Sequence, residues 1–197
     1  AKDGDTIKLL KDVTVTNPIE VTKSMTLDLN GHVLTAATAS TATVKNSAIW
    51  VTAEKVNLTI DGTTAGSGMT MGDTHDTNWE ENCEIKVTDI RTGDGTYLNC
   101  AVAVQYGGTA TVKSGTYTAP YAAYVYNSGG TINIENGTFT GVVRADATTD
   151  TTAVINIKNG SFNGEIQKGG GPGSETISIT GGTFSFCLLY TSDAADE

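Results

Sequence analysis

Ile132-Asn133-Ile134-Glu135-Asn136-Gly137-Thr138-Phe139 carries the architecture of this 197-residue chain, because the same phrase occurs four times. Its other copies are Ala110-Thr111-Val112-Lys113-Ser114-Gly115-Thr116-Tyr117, Ile155-Asn156-Ile157-Lys158-Asn159-Gly160-Ser161-Phe162 and Ile177-Ser178-Ile179-Thr180-Gly181-Gly182-Thr183-Phe184. The glycines at 115, 137, 160 and 182 are 22, 23 and 22 residues apart, a period that belongs to stacked repeat units rather than to one closed globular core. Within the phrase apolar and polar residues alternate, the period of a half-buried strand and not of a helix. Glycine then supplies a corner that a Cβ would obstruct, and an aromatic residue follows.

About 22 residues is too short for a strand, a crossover helix and a second strand, but it suits two or three short strands and their corners. The expectation is therefore an all-β chain folded as a right-handed parallel β-helix, a solenoid whose coils are about 22 residues long. Equivalent residues would stack about 4.8 Å apart in columns: Val112/Ile134/Ile157/Ile179, Ala110/Ile132/Ile155/Ile177 and an aromatic ladder of Tyr117/Phe139/Phe162/Phe184. Lys113, Glu135 and Lys158 would form a solvated outer column of alternating sign. Six residues beyond each anchoring glycine stand Tyr121, Val143 and Ile166, read as inward. Seven beyond stand Ala122, Arg144 and Gln167, read as outward.

Composition agrees. The chain has 23 glycines, 3 prolines and 17% charged residues, with Thr, Val, Ile and Asn abundant, which is all-β usage. A formal net charge of −10 with arginine only at Arg91 and Arg144 excludes a nucleic-acid partner, since phosphate binding needs clustered Lys or Arg. No apolar run is long enough for a membrane span. Residues 1–186 read as a single domain, cut at both ends and interrupted by an irregular insert at about 62–91.

Two segments carry resemblances. Asp3-Gly4-Asp5-Thr6-Ile7-Lys8-Leu9-Leu10, followed by Met25-Thr26-Leu27-Asp28-Leu29-Asn30-Gly31-His32, resembles the opening of the pectate-lyase-like β-helix regions of surface proteins from Gram-positive gut bacteria. The glycine-Thr-aromatic repeats of residues 107–186 are similar to the same regions. The resemblance implies the fold, an extracellular or cell-surface location and a longer multidomain parent chain, and it implies no defined catalytic residue; His32 belongs to the corner. Cys187-Leu188-Leu189-Tyr190-Thr191-Ser192-Asp193-Ala194-Ala195-Asp196-Glu197 breaks the repeat and resembles the translation of a transposon-based sequencing-library adapter, so 187–197 is read as a non-biological tail.

Chemistry is sparse. Asp73, His75 and Asp76, with Trp79, Glu80, Glu81 and Glu84 nearby, offer oxygen ligands and an imidazole that suit Ca²⁺ or another divalent cation, although the spacing matches no defined metal loop and a solvated surface loop is the alternative. No other cofactor is implied. Cys83 and Cys100 can pair as a disulfide in an oxidising compartment, with a buried free thiol as the alternative. Polysaccharide or host glycan would be held by exposed aromatics beside polar groups: Tyr124, Tyr126, Trp79 and Arg144 are the candidates, with Trp50 and Tyr106 also available. Alignment on the Gly-Gly pairs matches Tyr124 and Tyr126 with Val102 and Val104, which reads them as inward core residues in preference to a binding face. A lyase needs calcium-holding carboxylates and a basic residue, and a glycosidase needs two facing carboxylates. Asp146 and Asp150 form no such set, so the expected role is a non-catalytic structural or adhesive module, with a fragment of a polysaccharide lyase or glycoside hydrolase as the alternative.

Overall fold

The computed structural model describes residues 1–36, 47–71 and 100–185. In chain order its strands are β1 (Asp5–Lys8), β2 (Val13–Val15), β3 (Ile19–Val21), β4 (Met25–Asp28), β5 (Val33–Ala36) and β6 (Ser47–Val51). Next come β7 (Asn57–Asp61), β8 (Gly68–Met71), β9 (Cys100–Val104), β10 (Thr109–Val112), β11 (Thr116–Val125) and β12 (Gly130–Ile134). The last are β13 (Thr138–Ala145), β14 (Thr152–Ile157), β15 (Ser161–Asn163), β16 (Ile166–Lys168), β17 (Ser174–Ile179) and β18 (Thr183–Phe184). Among the described residues there is no helix, so none long and apolar enough to cross a membrane.

All pairings between these strands are parallel, and they form two sheets. The first runs β1-β4-β7-β10-β12-β14-β17. The second runs β18-β15-β13-β11-β8-β5-β2, with β3, β6, β9 and β16 attached beside it. Each repeat unit thus adds one strand to the first sheet and one or two to the second. The phrase explains why: its alternating half is the first-sheet strand, its glycine is the corner, and its aromatic opens the second-sheet strand. Gly137 shows the corner's requirement, with a φ of 135° and an added Cβ only 2.9 Å from the Gly115 carbonyl oxygen one unit below. An L side chain there would be strained and crowded.

The expected columns are present. Val112, Ile134, Ile157 and Ile179 stand in register, and Leu27 and Ile60 extend the column toward the N-terminus. The aromatic ladder stacks at 4.9 Å for Tyr117–Phe139, 5.1 Å for Phe139–Phe162 and 5.1 Å for Phe162–Phe184, with ring planes within 12° of parallel. Such offset pairs contribute about 0.5–1.5 kcal/mol each beyond the area they bury. Below Tyr117 the slot holds Met69, Leu34 and Val13. That filling places β8 in the stack, so Gly68–Met71, inside the stretch read as irregular insert, is regular. Met replaces the aromatic as a flexible filler of the same space.

The outer face of the first sheet is polar. Asn156 Nδ2 donates to Asn133 Oδ1 at 2.9 Å and Asn133 Nδ2 to Thr111 Oγ1 at 3.4 Å. Beside this ladder runs a charged column with Lys8–Asp28 at 3.3 Å, Lys113–Asp61 at 3.1 Å and Lys158–Glu135 at 3.6 Å. These exposed pairs fix register more than they stabilise. The Leu29-Asn30-Gly31-His32 corner is a turn in which Asn30 and Gly31 both have left-handed φ (51° and 80°) and His32 N donates to Leu29 O at 2.9 Å. His32 Nδ1 lies 3.3 Å from Asp12 Oδ1, whose carboxyl is held low chiefly by the hydrogen bond from the Val33 N–H.

Candidate functional site

Four of the candidates, Trp50, Tyr124, Tyr126 and Arg144, gather on the outer face of the second sheet. β6, β9, β11, β13 and β16 bring Trp50, Ala103, Tyr124, Arg144 and Gln167 into one register column. Around it Trp50, Cys100, Ala103, Tyr121, Tyr124, Tyr126 and Val142 form an apolar cluster separate from the main core. Ring centroids lie 5.1 Å apart for Tyr121–Tyr124, 4.7 Å for Tyr124–Tyr126 and 6.1 Å for Trp50–Tyr126.

Four expectations about phase are corrected here. Tyr124 is in register with Ala103, while Val102 and Val104 instead face Ala123 and Val125, so Tyr124 and Tyr126 leave the core column to which the match with Val102 and Val104 assigned them and join the outer cluster. Tyr121, expected to point inward, belongs to the outer cluster. The cause is that β11 carries two residues more than β13 between Thr118 and Ala123, with register shifts on either side of Tyr121. Pro120 sits in this irregular stretch, where a strand tolerates a residue without an N–H donor. Ala122, expected to face outward, enters the core there beside Ala123.

A polar network borders the rings. Arg144 Nε lies 3.1 Å from Asp146 Oδ2 and Arg144 Nη2 lies 3.3 Å from Asp146 Oδ1, a two-pronged ion pair. Arg144 Nη1 donates to Gln167 Oε1 at 3.1 Å, and Gln167 Nε2 donates to Glu165. The Tyr124 hydroxyl donates to Asp146 Oδ2. Burial pushes the Tyr124 hydroxyl's pKa up, and the charge of Asp146 and its hydrogen bond raise it further. Burial works against the charge on Arg144, yet its bonds to Asp146 and that carboxylate's charge outweigh this and raise its pKa. Burial alone pushes the Cys100 thiol up, so it is a poor nucleophile.

Arg144 points away from the core, as its position seven residues after Gly137 suggests. It is nonetheless only 4% exposed, with Tyr124 at 4% and Tyr126 at 6%. A buried ion pair stays charged only where its hydrogen-bonding capacity is met, and here Asp146, Gln167 and the Gly169 carbonyl meet it. The arrangement holds a sheet face together; it does not offer an open ring or a mobile base.

Asp73, His75, Asp76, Trp79 and Cys83 lie outside the described residues, so the proposed cation site and the Cys83–Cys100 pairing have no geometry here. Among the described residues no group of three His, Cys, Asp or Glu is placed to hold a metal ion. Asp150 takes a left-handed φ of 63° in an exposed turn between β13 and β14. Sequence reasoning missed two placements, Asp146 as the partner of Tyr124 and Tyr121 as part of the cluster. The first is visible only once the bulge in β11 is known. No family model matches the chain, and no match was found to a curated protein or a solved structure.

Proposed function

We propose that this chain is a module of a right-handed parallel β-helix in an extracellular bacterial surface protein, acting structurally or adhesively and without catalysis. The parallel register of both sheets, each gaining strands unit by unit, supports closure into a solenoid. The observation that carries the functional reading is the commitment of Arg144 to Asp146. A lyase of this architecture needs a basic side chain free to take a proton beside cation-holding carboxylates, and this guanidinium is clamped by a carboxylate, an amide and a carbonyl.

The test is to incubate the protein, with calcium and with a chelator, on polygalacturonate, xylan and β-glucan while following reducing ends and unsaturated uronates. No product above a boiled control is expected under either condition. Calcium-dependent release of product would replace this reading with that of a polysaccharide lyase or hydrolase fragment.

A further inference from the structure

Tyr106 stands out from every other aromatic ring on the described part of the chain. It is 53% exposed, and its φ of 54° is left-handed, a conformation that is a genuine outlier for a bulky residue. The turn Gln105–Gly108 explains how it is held. Gly108 N donates to Gln105 O at 3.2 Å, and Gly107 is also left-handed at 73°, so both central residues have the positive φ of a type I′ turn, where Asn-Gly is the preferred pair. Tyr106 N donates to Ser128 Oγ at 3.2 Å and Gly107 N to Gly129 O at 3.1 Å, which ties the turn to the unit above. The backbone is thus fixed in a shape that tyrosine disfavours, while half the side chain lies in solvent. Such an outlier points from strain toward function.

The neighbouring units place polar groups beside it. Turns close in the same place between Ala53 and Val56, Tyr126 and Gly129, and Thr148 and Thr151. Their second residues are Glu54, Asn127 and Thr149, all exposed. The exposed ring thus stands between Glu54 of the unit below, which lies against Gly107 with its Cγ 3.4 Å from where a Cβ would stand, and Asn127-Ser128 of the unit above, where Ser128 Oγ accepts from Tyr106 N. A carboxylate flanks it on one side and an amide and a hydroxyl on the other, and the Asn127 carbonyl is fixed by Thr148 and Thr151. A flat apolar ring flanked by a few polar groups is what recognises a sugar, whose C–H face stacks while its hydroxyls hydrogen-bond.

We infer that Tyr106, flanked by Glu54 and by Asn127-Ser128, binds a neutral polysaccharide, with one hexose ring stacked on Tyr106. Neutral polymer is specified because a net charge of −10 repels an acidic one, while Glu54 is paired with Lys55 at 3.6 Å. This deepens the adhesive side of the reading above and rests on it.

The test is affinity electrophoresis of the full chain in native gels containing β-glucan, galactan or polygalacturonate, on wild type, Tyr106→Phe and Tyr106→Asn. Wild type and Tyr106→Phe are expected to be retarded by at least one neutral polymer and not by polygalacturonate. Tyr106→Asn is expected to lose at least about tenfold in apparent affinity while its Tm rises by about 2 °C, because Asn suits the turn. The rise in Tm separates lost binding from lost folding. No retardation by either neutral polymer, equal retardation of Tyr106→Asn, or retardation by polygalacturonate alone would each overturn the site. None of these outcomes touches the non-catalytic reading, which falls only on product release.

Discussion

Arg144 shows what a single residue does on this framework. Its guanidinium is buried on the outer face of a sheet against Asp146, Gln167 and the Gly169 carbonyl, and breaking such a pair from one side leaves an uncompensated charge. Arg144→Met is therefore expected to destabilise the chain by about 3–5 kcal/mol. Adding Asp146→Asn should recover part of that loss, since no buried carboxylate is then left unpaired. Urea unfolding of the two variants checks this; equal stability of Arg144→Met and wild type would mean that the pair is solvated in solution. The direction of Arg144 was readable from its distance to Gly137, because no insertion separates the two. Its burial was not, since sequence spacing reports which face a residue takes and not what surrounds it.

At the scale of elements, the corner and the bulge decide most. Gly141 in β13 has a φ of 117°, and a Cβ there would come within 1.8 Å of the Ala119 carbonyl oxygen of β11. Gly170 is also left-handed, at 72°, but a Cβ there meets nothing within 4 Å. Gly170→Ala should thus cost only the backbone strain, about 1 kcal/mol, whereas Gly141→Ala must push two strands apart and should cost clearly more. Equal denaturation midpoints for the two variants would contradict the close approach of β11 and β13. The same pair of strands marks the boundary of what sequence could reveal. The columns of the four-fold phrase were legible because every unit spends one residue on each slot. The placement of Tyr121 and Tyr124 was not, because β11 inserts two residues beside Pro120 and so changes which residues face out. β8 was missed for a different reason: Met69 occupies the aromatic slot, so the phrase is disguised although its volume is kept.

For the whole molecule, buried tyrosines shape behaviour in alkali. Burial raises the pKa of Tyr117, Tyr124 and Tyr126 above the ordinary 10.0, with the charge of Asp61 adding at Tyr117 and that of Asp146 at Tyr124. A hydroxyl held neutral in the fold but free to ionise when unfolded contributes stability that is fully present below about pH 10 and lost as the pH rises toward its raised value. The loss amounts to about 1.4 kcal/mol per pH unit for each such tyrosine. Thermal unfolding from about pH 8 to pH 11 should show a steep fall beginning near 10, and Tyr117→Phe should make it shallower. A flat profile would contradict the burial of these rings.

The central claim is that one chain stacks sequential units in parallel, leaving its conspicuous residues to corners, columns and ladders. Pulsed electron-spin distances test it most directly, using a label at Ser178→Cys paired in turn with Thr111→Cys and Thr26→Cys in a chain whose native cysteines are replaced by serine. Thr111 and Thr26 lie three and five strands from Ser178 in the first sheet, so backbone separations of about 14 and about 24 Å are predicted from the strand spacing. Two narrow distributions differing by about two strand spacings would support the stack, and distances that do not grow with the number of intervening strands would contradict it.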